Sequence, residues 1–199
     1  MKIIGIDEVG RGPLAGPVTV CAVSCDQSMY KILKKNNNLP AIGKDSKKLS
    51  ANARQRFEKV IKEFSKQGNI TFKISNISNK TIDSKGLSYS INKAIAECLK
   101  GVESTLDSSF LLDGGLKVSS EYKKQKTIIK GDEKEKIIAW ASILAKVYRD
   151  NYMSKMSKKY PGYGFDIHKG YGTQAHRLYI KKNGLSDLHR RSFCKRLIF

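Results

Sequence analysis

Four acidic residues stand at the ends of predicted strands or at the start of a predicted helix. Asp7 and Glu8 end an apolar run near the start of the chain, Asp113 ends a second run, and Asp132 opens a long helical pattern. Carboxylate oxygens suit hard cations such as Mg²⁺ and Mn²⁺. Two such ions about 4 Å apart can activate a water molecule and stabilise the leaving oxygen of a phosphodiester. The four acids therefore predict a metal site for phosphodiester cleavage.

Each acid also has a plainer interpretation that the residues alone leave open. Asp113 precedes two glycines and could simply start a turn. Asp132 has Glu135 three residues later, which is typical of a helix capping pair. Successive strand residues point to opposite faces, so Asp7 and Glu8 cannot both aim inward from a regular strand. Either the strand bends at Glu8, or Glu8 also contributes its backbone carbonyl.

A glycine- and proline-rich loop, GRGPLAGP, follows the first two acids over residues 10–17. Gly10, Gly12 and Gly16 allow positive φ and close backbone approach, and the two prolines stiffen the turn. Such a loop could present N–H groups to a sugar-phosphate chain. A nucleotide-binding protein is a weaker interpretation, because the glycines do not fit GxGxxG and no Walker Lys-Ser/Thr follows them.

The charge of the chain indicates a polyanionic partner. The 199 residues include 38 Lys and Arg against 18 Asp and Glu, a formal net charge of +20. Basic side chains displace the counterions that condense on nucleic-acid phosphates. A module that only binds nucleic acid would explain this charge, but it would give no reason for the acids, which repel phosphate unless a metal is present.

Apolar spacing predicts an α/β chain that positions these residues. Strands are predicted over residues 3–6, 18–23, 70–74, 109–113 and 127–129, the first two as a hairpin. Helices are predicted over residues 51–66 with Ser50 as N-cap, 88–99, 132–158 and 174–182. Residues 31–38 are predicted to be a solvated loop. Ligands collect outside the carboxyl ends of strands in open α/β sheets, so Asp7 and Asp113 can converge on one site.

Several motifs, in order along residues 3–193, resemble ribonuclease HII. They are DEVGRGPLAGPV (7–18), DSKKL (45–49), Asp113 followed by glycine, KGD (130–132), ASILAKVYRD (141–150), KGYGT (169–173) and LHRRSF (188–193). Trp140 departs from the pattern, since a small residue is usual there. The sister family ribonuclease HIII usually adds an N-terminal domain, so ribonuclease HII is the better match.

The resemblance implies an RNase H-like fold with a central mixed five-stranded sheet, flanking helices and a helical C-terminal extension. One domain is expected over residues 1–199, with a catalytic core of about residues 1–160 and a substrate-binding segment of about residues 161–199. It also implies a metal-dependent endonuclease that cleaves the RNA strand of RNA–DNA hybrids and cuts 5′ of ribonucleotides embedded in duplex DNA.

The resemblance further assigns roles to individual residues. The implied catalytic and metal-binding residues are Asp7, Glu8, Asp113 and Asp132, with Mg²⁺ or Mn²⁺ as cofactor. The implied substrate-binding residues are Gly10, Arg11, Gly12, Lys47, Lys48 and Tyr171. His168, His176 and His189 lack a metal-ligand spacing and are interpreted as phosphate-facing or structural.

The remaining expectations concern the setting of the protein. No apolar stretch approaches the length of a membrane span, and the first run is too short for a secretory signal. Four cysteines without a CxxC pair favour reduced thiols, so a cytoplasmic protein is expected. A monomer is expected, and a contact between the C-terminal tail and a replication clamp is left open.

Overall fold

The computed structural model describes residues 1–36 and 49–198, and a sheet of five strands lies at its centre. The strands are β1 (Lys2–Val9), β2 (Val18–Asp26), β3 (Thr71–Ile77), β4 (Ser109–Asp113) and β5 (Gln125–Ile128). Their order across the sheet is β3-β2-β1-β4-β5. β2 is antiparallel to β1 and β3, whereas β4 is parallel to β1 and β5. The predicted mixed sheet and its first hairpin are confirmed.

Helices pack on both faces of this sheet. They are α1 (Gln27–Lys35), α2 (Ala51–Lys66), α3 (Asn79–Lys85), α4 (Leu87–Gly101), α5 (Gly131–Lys134), α6 (Lys136–Lys159), α7 (Phe165–His168), α8 (Gln174–Asn183) and α9 (Arg191–Ile198). Ser50 caps α2 as predicted, because its hydroxyl accepts a hydrogen bond from the Ala53 amide. Within the described ranges, no helix has the length and apolarity needed to cross a membrane.

Two apolar layers hold the sheet between its helices. On one face, Ile4 and Ile6 of β1 pack with the buried side of α4. On the other face, α6 crosses β1 closely, because a Cβ on Gly5 would lie 2.6 Å from the backbone of Ile137. Trp140 is fully buried on that face, with its ring 5.4 Å from that of Phe64 in α2. The bulky residue that departs from the family pattern thus fills the space between α6 and α2.

The C-terminal helices extend the fold beyond the end of α6. A third apolar cluster joins Ala15 of the glycine-rich loop to Met153, Phe165 and Leu188. Ala15 also forms an isolated antiparallel bridge with His189. The C-terminal segment is therefore packed against the loop that follows β1.

Two local predictions are wrong. The predicted loop over residues 31–38 begins inside α1, whose apolar Leu33 is fully buried. The single helix predicted over 132–158 is two helices, because Glu135 leaves the helical conformation with φ −126° and ψ 116°. Lys47 and Lys48 of the DSKKL segment lie outside the described residues.

Candidate active site

A cavity of about 480 Å³ opens at the carboxyl ends of β1 and β4. Its lining includes seven of the predicted site residues: Asp7, Glu8, Gly10, Arg11, Gly12, Asp113 and Tyr171. Asp132 does not line it. A cleft of similar volume, about 470 Å³, lies between α4 and residues 117–122 and contains none of the predicted site residues. The first cavity is therefore the candidate active site.

Asp7 and Glu8 reach the same cavity from a strand that keeps its register. β1 pairs with β4 only as far as Ile6, but it pairs with β2 through Val9. The last residues of β1 thus extend past the end of β4, where the cavity opens. Asp7 is 5% exposed, on the face of the strand that packs against α6. The strand does not bend at Glu8, so that interpretation is wrong.

Asp113 joins the end of β4 to the segment that carries Asp132. Its Oδ1 accepts a hydrogen bond from the Gly131 amide at 2.6 Å. Gly131 is the first residue of α5, and Asp132 follows it, buried at 5% exposure. Asp132 is thus adjacent in sequence to a residue that contacts Asp113, and it is not among the residues that line the cavity.

The capping interpretation of Asp132 is wrong. The N-cap of α5 is Lys130, which makes no side-chain capping bond, so Asp132 lies inside the first turn. Glu135 ends α5, and its carboxylate accepts hydrogen bonds from the hydroxyl of Tyr30 at 2.6 Å and the ammonium of Lys34 at 3.3 Å. Glu135 therefore holds α1 against the start of α6.

The acids of the cavity are held in an environment that opposes their charge. Burial raises the pKa of Asp7 well above its usual range, and the nearby carboxylates of Glu8 and Asp113 raise it further, while a hydrogen bond from Ser142 lowers it. Burial also raises the pKa of Glu8, although Arg11, at 3.0 Å, opposes this. Carboxylates close together in a buried site repel each other unless protons or cations neutralise them.

These residues fit a divalent cation. The Oε2 atom of Glu8 is buried and has no hydrogen-bond partner within the described part of the chain. In the same part, no three His, Cys, Asp or Glu side chains stand where they could hold one ion together. Mg²⁺ is commonly bound by only one or two carboxylates, with substrate phosphates and water as its other ligands. The donor set therefore suits an ion shared with a phosphodiester.

Two basic side chains also line the cavity. Arg54 of α2 and Lys146 of α6 both line it, and Asp150 holds them, 3.7 Å from Arg54 and 2.9 Å from Lys146. Neither residue was predicted from the sequence to be a site residue. The available signal was the i,i+4 spacing of Lys146 and Asp150, which is typical of a helix ion pair.

Tyr171 lines the cavity and is 41% exposed. The Nζ of Lys146 and the guanidinium carbon of Arg149 each lie 6.0 Å from the centre of its ring. Its backbone carbonyl accepts a hydrogen bond from Nδ1 of His176 at 2.8 Å. The side chain of Tyr171 is thus accessible to a ligand, while its backbone carbonyl is held by His176.

The buried imidazoles of His176 and His189 hold this carbonyl in place, and their hydrogen bonds define their tautomers. The Ser186 amide donates to Nδ1 of His189 at 2.9 Å, so the proton of His189 is on Nε2. Nε2 of His189 then donates to Nε2 of His176 at 3.0 Å. Burial, with the proximity of other histidines as a smaller cause, lowers the pKa of each ring to about 4. These histidines are structural rather than phosphate-facing; the third, His168, stacks on His176 with ring centres 4.2 Å apart.

Comparison with known proteins connects this geometry to one family. The family described as Ribonuclease HII matches residues 4–196. The chain is 40% identical to Ribonuclease HII of Clostridium beijerinckii over 196 residues, which cover 98% of this chain and 68% of that protein. It is 41% identical to Ribonuclease HII of Clostridium botulinum over 196 residues, 98% of this chain and 69% of that protein.

Solved structures show the same fold at lower sequence identity. Ribonuclease H2 from Pyrococcus horikoshii OT3 is 24% identical, with a TM-score of 0.72 over 99% of this chain and 97% of that one. RNase HII from Archaeoglobus fulgidus, solved in a complex with PCNA, is 23% identical with a TM-score of 0.71 over the same shares. Bst-RNase HIII in complex with Mn²⁺ is 21% identical, with a TM-score of 0.66 over 92% of this chain and 63% of that one.

Proposed function

The chain belongs to the ribonuclease HII family, as a metal-dependent endonuclease that hydrolyses RNA in RNA–DNA hybrids, and from this premise we propose its finer specificity. It also cuts on the 5′ side of single ribonucleotides embedded in duplex DNA. The cut follows a two-metal-ion mechanism and leaves 5′-phosphate and 3′-hydroxyl ends. The observation that carries this proposal is that carboxylates and a glycine-rich loop line one cavity.

In the proposed mechanism, Asp7, Glu8 and Asp113 would hold the metal ions at the scissile phosphate, and Asp132 would be the fourth carboxylate of the set. The ions, Mg²⁺ or Mn²⁺, supply activation of water and stabilisation of the leaving oxygen. The raised pKa of Asp7 and the unpartnered Oε2 of Glu8 support this assignment. Mn²⁺ is the ion that accompanies the Bst-RNase HIII relative.

The glycine-rich loop and Tyr171 are proposed to recognise the ribonucleotide. Gly10, Arg11 and Gly12 place backbone groups beside the 2′-hydroxyl, which distinguishes RNA from DNA at a single position. Tyr171 stacks on the neighbouring sugar or base, and its exposed ring beside the cavity supports that role. These contacts favour the junction at which RNA passes into DNA.

Phosphate contacts along the bound strand come from basic side chains. Lys47 and Lys48 are proposed for this role from the family motif alone. Arg54 and Lys146 are added because both line the cavity and are held by one carboxylate. The net charge of +20 supports electrostatic attraction of the duplex.

We also propose that the protein works as a monomer in the cytoplasm. Its four cysteines are all buried free thiols, which a reducing compartment preserves. The structure of the Archaeoglobus fulgidus relative includes PCNA. No particular contact between the tail of this chain and a replication clamp is proposed.

The test uses a labelled DNA duplex that contains one ribonucleotide, with Mg²⁺, with Mn²⁺ or with EDTA. We expect a metal-dependent cut 5′ of the ribonucleotide that leaves a 3′-hydroxyl, and its near-loss in Asp7→Asn. Asp107→Asn is the matched control, because Asp107 is an exposed acid bound only loosely to Lys124 at 3.7 Å. Cleavage of an all-RNA hybrid but never of this duplex would contradict the proposed specificity. Tight binding of both substrates without cleavage would leave only a binding module.

A further inference from the structure

Arg190 is a fully buried guanidinium that is bound entirely by backbone carbonyls. Its Nη2 donates to the carbonyls of Gly10 at 2.6 Å and Pro17 at 3.0 Å. Its Nη1 donates to Arg11 at 2.9 Å, and its Nε donates to Gly16 at 2.9 Å. Among the described residues, no carboxylate forms an ion pair with it. A buried charge without a counterion needs such a set of hydrogen bonds, and here all of them go to one loop.

A second buried arginine holds the same loop at other points. Arg149 of α6 donates to the carbonyls of Pro17 at 3.0 Å, Lys169 at 3.0 Å and Ala15 at 3.2 Å. The two arginines share only Pro17. Arg190 alone reaches the carbonyls of the loop segment that lines the cavity.

The orientation of these carbonyls fixes the direction of the amides beside them. The C=O and N–H groups of a trans peptide point in opposite directions, and the described chain contains no cis peptide bond. The Gly10 carbonyl points toward Arg190, so the Arg11 N–H points away from it. By the same argument, the Gly12 N–H points away, because the Arg11 carbonyl faces Arg190.

The side away from Arg190 is the cavity side. Gly10, Arg11 and Gly12 line the cavity, whereas Arg190 lies behind them and does not. In the described part of the chain, neither the Arg11 amide nor the Gly12 amide donates to a backbone carbonyl. Two donors without a backbone acceptor thus belong to residues that line the cavity.

From this geometry we propose that Arg190 is a positioning residue that aims the Arg11 and Gly12 amides at the 2′-hydroxyl of the ribonucleotide. The inference rests on the proposed function, and it assigns ribose recognition partly to a residue that touches no substrate. Without the guanidinium, either peptide plane can rotate and present a carbonyl to the strand. A carbonyl there repels phosphate oxygens and cannot donate a hydrogen bond.

Arg190→Lys and Arg149→Lys provide a matched pair of variants. Each keeps one buried positive charge and loses the planar fork that reaches several carbonyls at once. Both are expected to lower Tm, since both release the same loop. Only Arg190→Lys frees the carbonyls of Gly10 and Arg11.

The measurement is the ratio of affinities for a duplex with one ribonucleotide and for the same duplex made only of DNA. All proteins carry Asp7→Asn and are measured in EDTA, so that no strand is cut. Arg190→Lys is expected to lower this ratio about tenfold, the effect of losing one or two directed hydrogen bonds. Arg149→Lys is expected to keep the ratio within about twofold of the parent, which corresponds to well under the energy of one hydrogen bond.

Two results would contradict the proposal, and they distinguish a failure of the role of Arg190 from a failure of 2′-hydroxyl recognition. An equal fall of the ratio in both variants would show that Arg190 is merely structural and would overturn the inference alone. A ratio of one in the parent protein would contradict the proposed 2′-hydroxyl recognition and the inference with it.

A second pair of variants decides the question if Arg190→Lys does not fold. A Cβ on Gly12 meets nothing within 4 Å, so the loop has room for a side chain there. Gly12→Pro removes the amide hydrogen, whereas Gly12→Ala keeps it. We expect Gly12→Pro to lower the affinity ratio more than Gly12→Ala does, because only proline removes the donor. The same ratio in both would overturn the inference.

Discussion

The two sides of the cavity are built in different ways. Asp7, Glu8 and Asp113 are placed by the hydrogen-bond ladder of β1 and β4, which any sequence forming these strands provides. The recognition loop is instead held by Arg149 and Arg190, which lie more than 130 residues along the chain from the carbonyls they bind in it. The acids are therefore positioned by secondary structure, and the loop by long-range side-chain contacts.

The two sides also differ in what they contribute to stability. Burial and mutual repulsion raise the pKa of Asp7, so the charged acid destabilises the fold when no cation is present. On the loop side, burial and the neighbouring Arg149 lower the pKa of Arg190 to about 9, so charge is disfavoured there as well, but both guanidiniums donate to backbone carbonyls. The acids of the cavity lack such a set of partners, since Oε2 of Glu8 has none among the described residues.

The largest effect is expected on the acid side. Asp7→Asn removes one metal-binding charge, and we expect activity to fall about 10³-fold, equivalent to several kcal/mol of transition-state stabilisation. The same change removes a buried repulsive charge, so the metal-free variant is expected to unfold at a higher Tm than the wild type at pH 7.

The check combines cleavage rates with thermal unfolding in EDTA. Asp107→Asn serves again as the control and should change neither quantity. A metal-free Asp7→Asn protein that is less stable than the wild type would contradict the difference drawn between the two sides.

An intermediate effect is expected at Gly10. Its φ is +92°, and an added Cβ would lie 2.3 Å from Nε of Arg149 and 2.8 Å from the carbonyl of Pro17. Gly10→Ala is therefore expected to lower the free energy of unfolding by about 2–3 kcal/mol, because it combines backbone strain with overpacking. Gly12→Ala, with open space around it, is the control.

Urea unfolding of both variants measures this difference. A stable Gly10→Ala protein with normal activity would show that the loop does not depend on the buried arginines behind it.

The strand-end acids and the loop glycines were predictable from the sequence, because apolar runs and turn residues are local signals. The residues alone left Asp132 open between a helix cap and a metal ligand, because local spacing does not show the Asp113–Gly131 hydrogen bond at the start of α5. Arg149 and Arg190 carried no local signal of their role. A basic residue in a helix pattern is usually solvated, and only the folded chain shows the carbonyls around it.

The smallest expected effect is on how the free energy of unfolding depends on pH. The buried histidine beneath Tyr171 and the acids of the cavity change it in opposite directions. The lowered pKa of His176, about 4, stabilises the fold above its unfolded pKa of 6.5, and this stabilisation is lost as pH falls toward 4. The raised pKa values of Asp7 and Glu8 act the other way, since they favour the fold at low pH and this contribution is lost as pH rises through them.

His176→Asn isolates the histidine contribution, because the amide of Asn can still donate to the Tyr171 carbonyl but does not titrate. Between pH 7 and pH 4.5, the wild type is expected to lose about 2 kcal/mol more stability than this variant. The acids contribute equally to both proteins, so the difference reports the buried pair of imidazoles, His176 and the His189 that is bonded to it. Parallel stability curves in EDTA would contradict the assignment of neutral, buried rings.

The most direct test of the central claim is a metal-rescue measurement at the scissile phosphate. The substrate is a duplex with one ribonucleotide and a phosphorothioate of defined configuration at the phosphate on its 5′ side. If the cavity acids hold cations against that phosphate, sulfur in one configuration slows cleavage with Mg²⁺, and the softer Mn²⁺ restores it. An equal slowing with Mg²⁺ and Mn²⁺ in both configurations would contradict the proposed role of Asp7, Glu8 and Asp113.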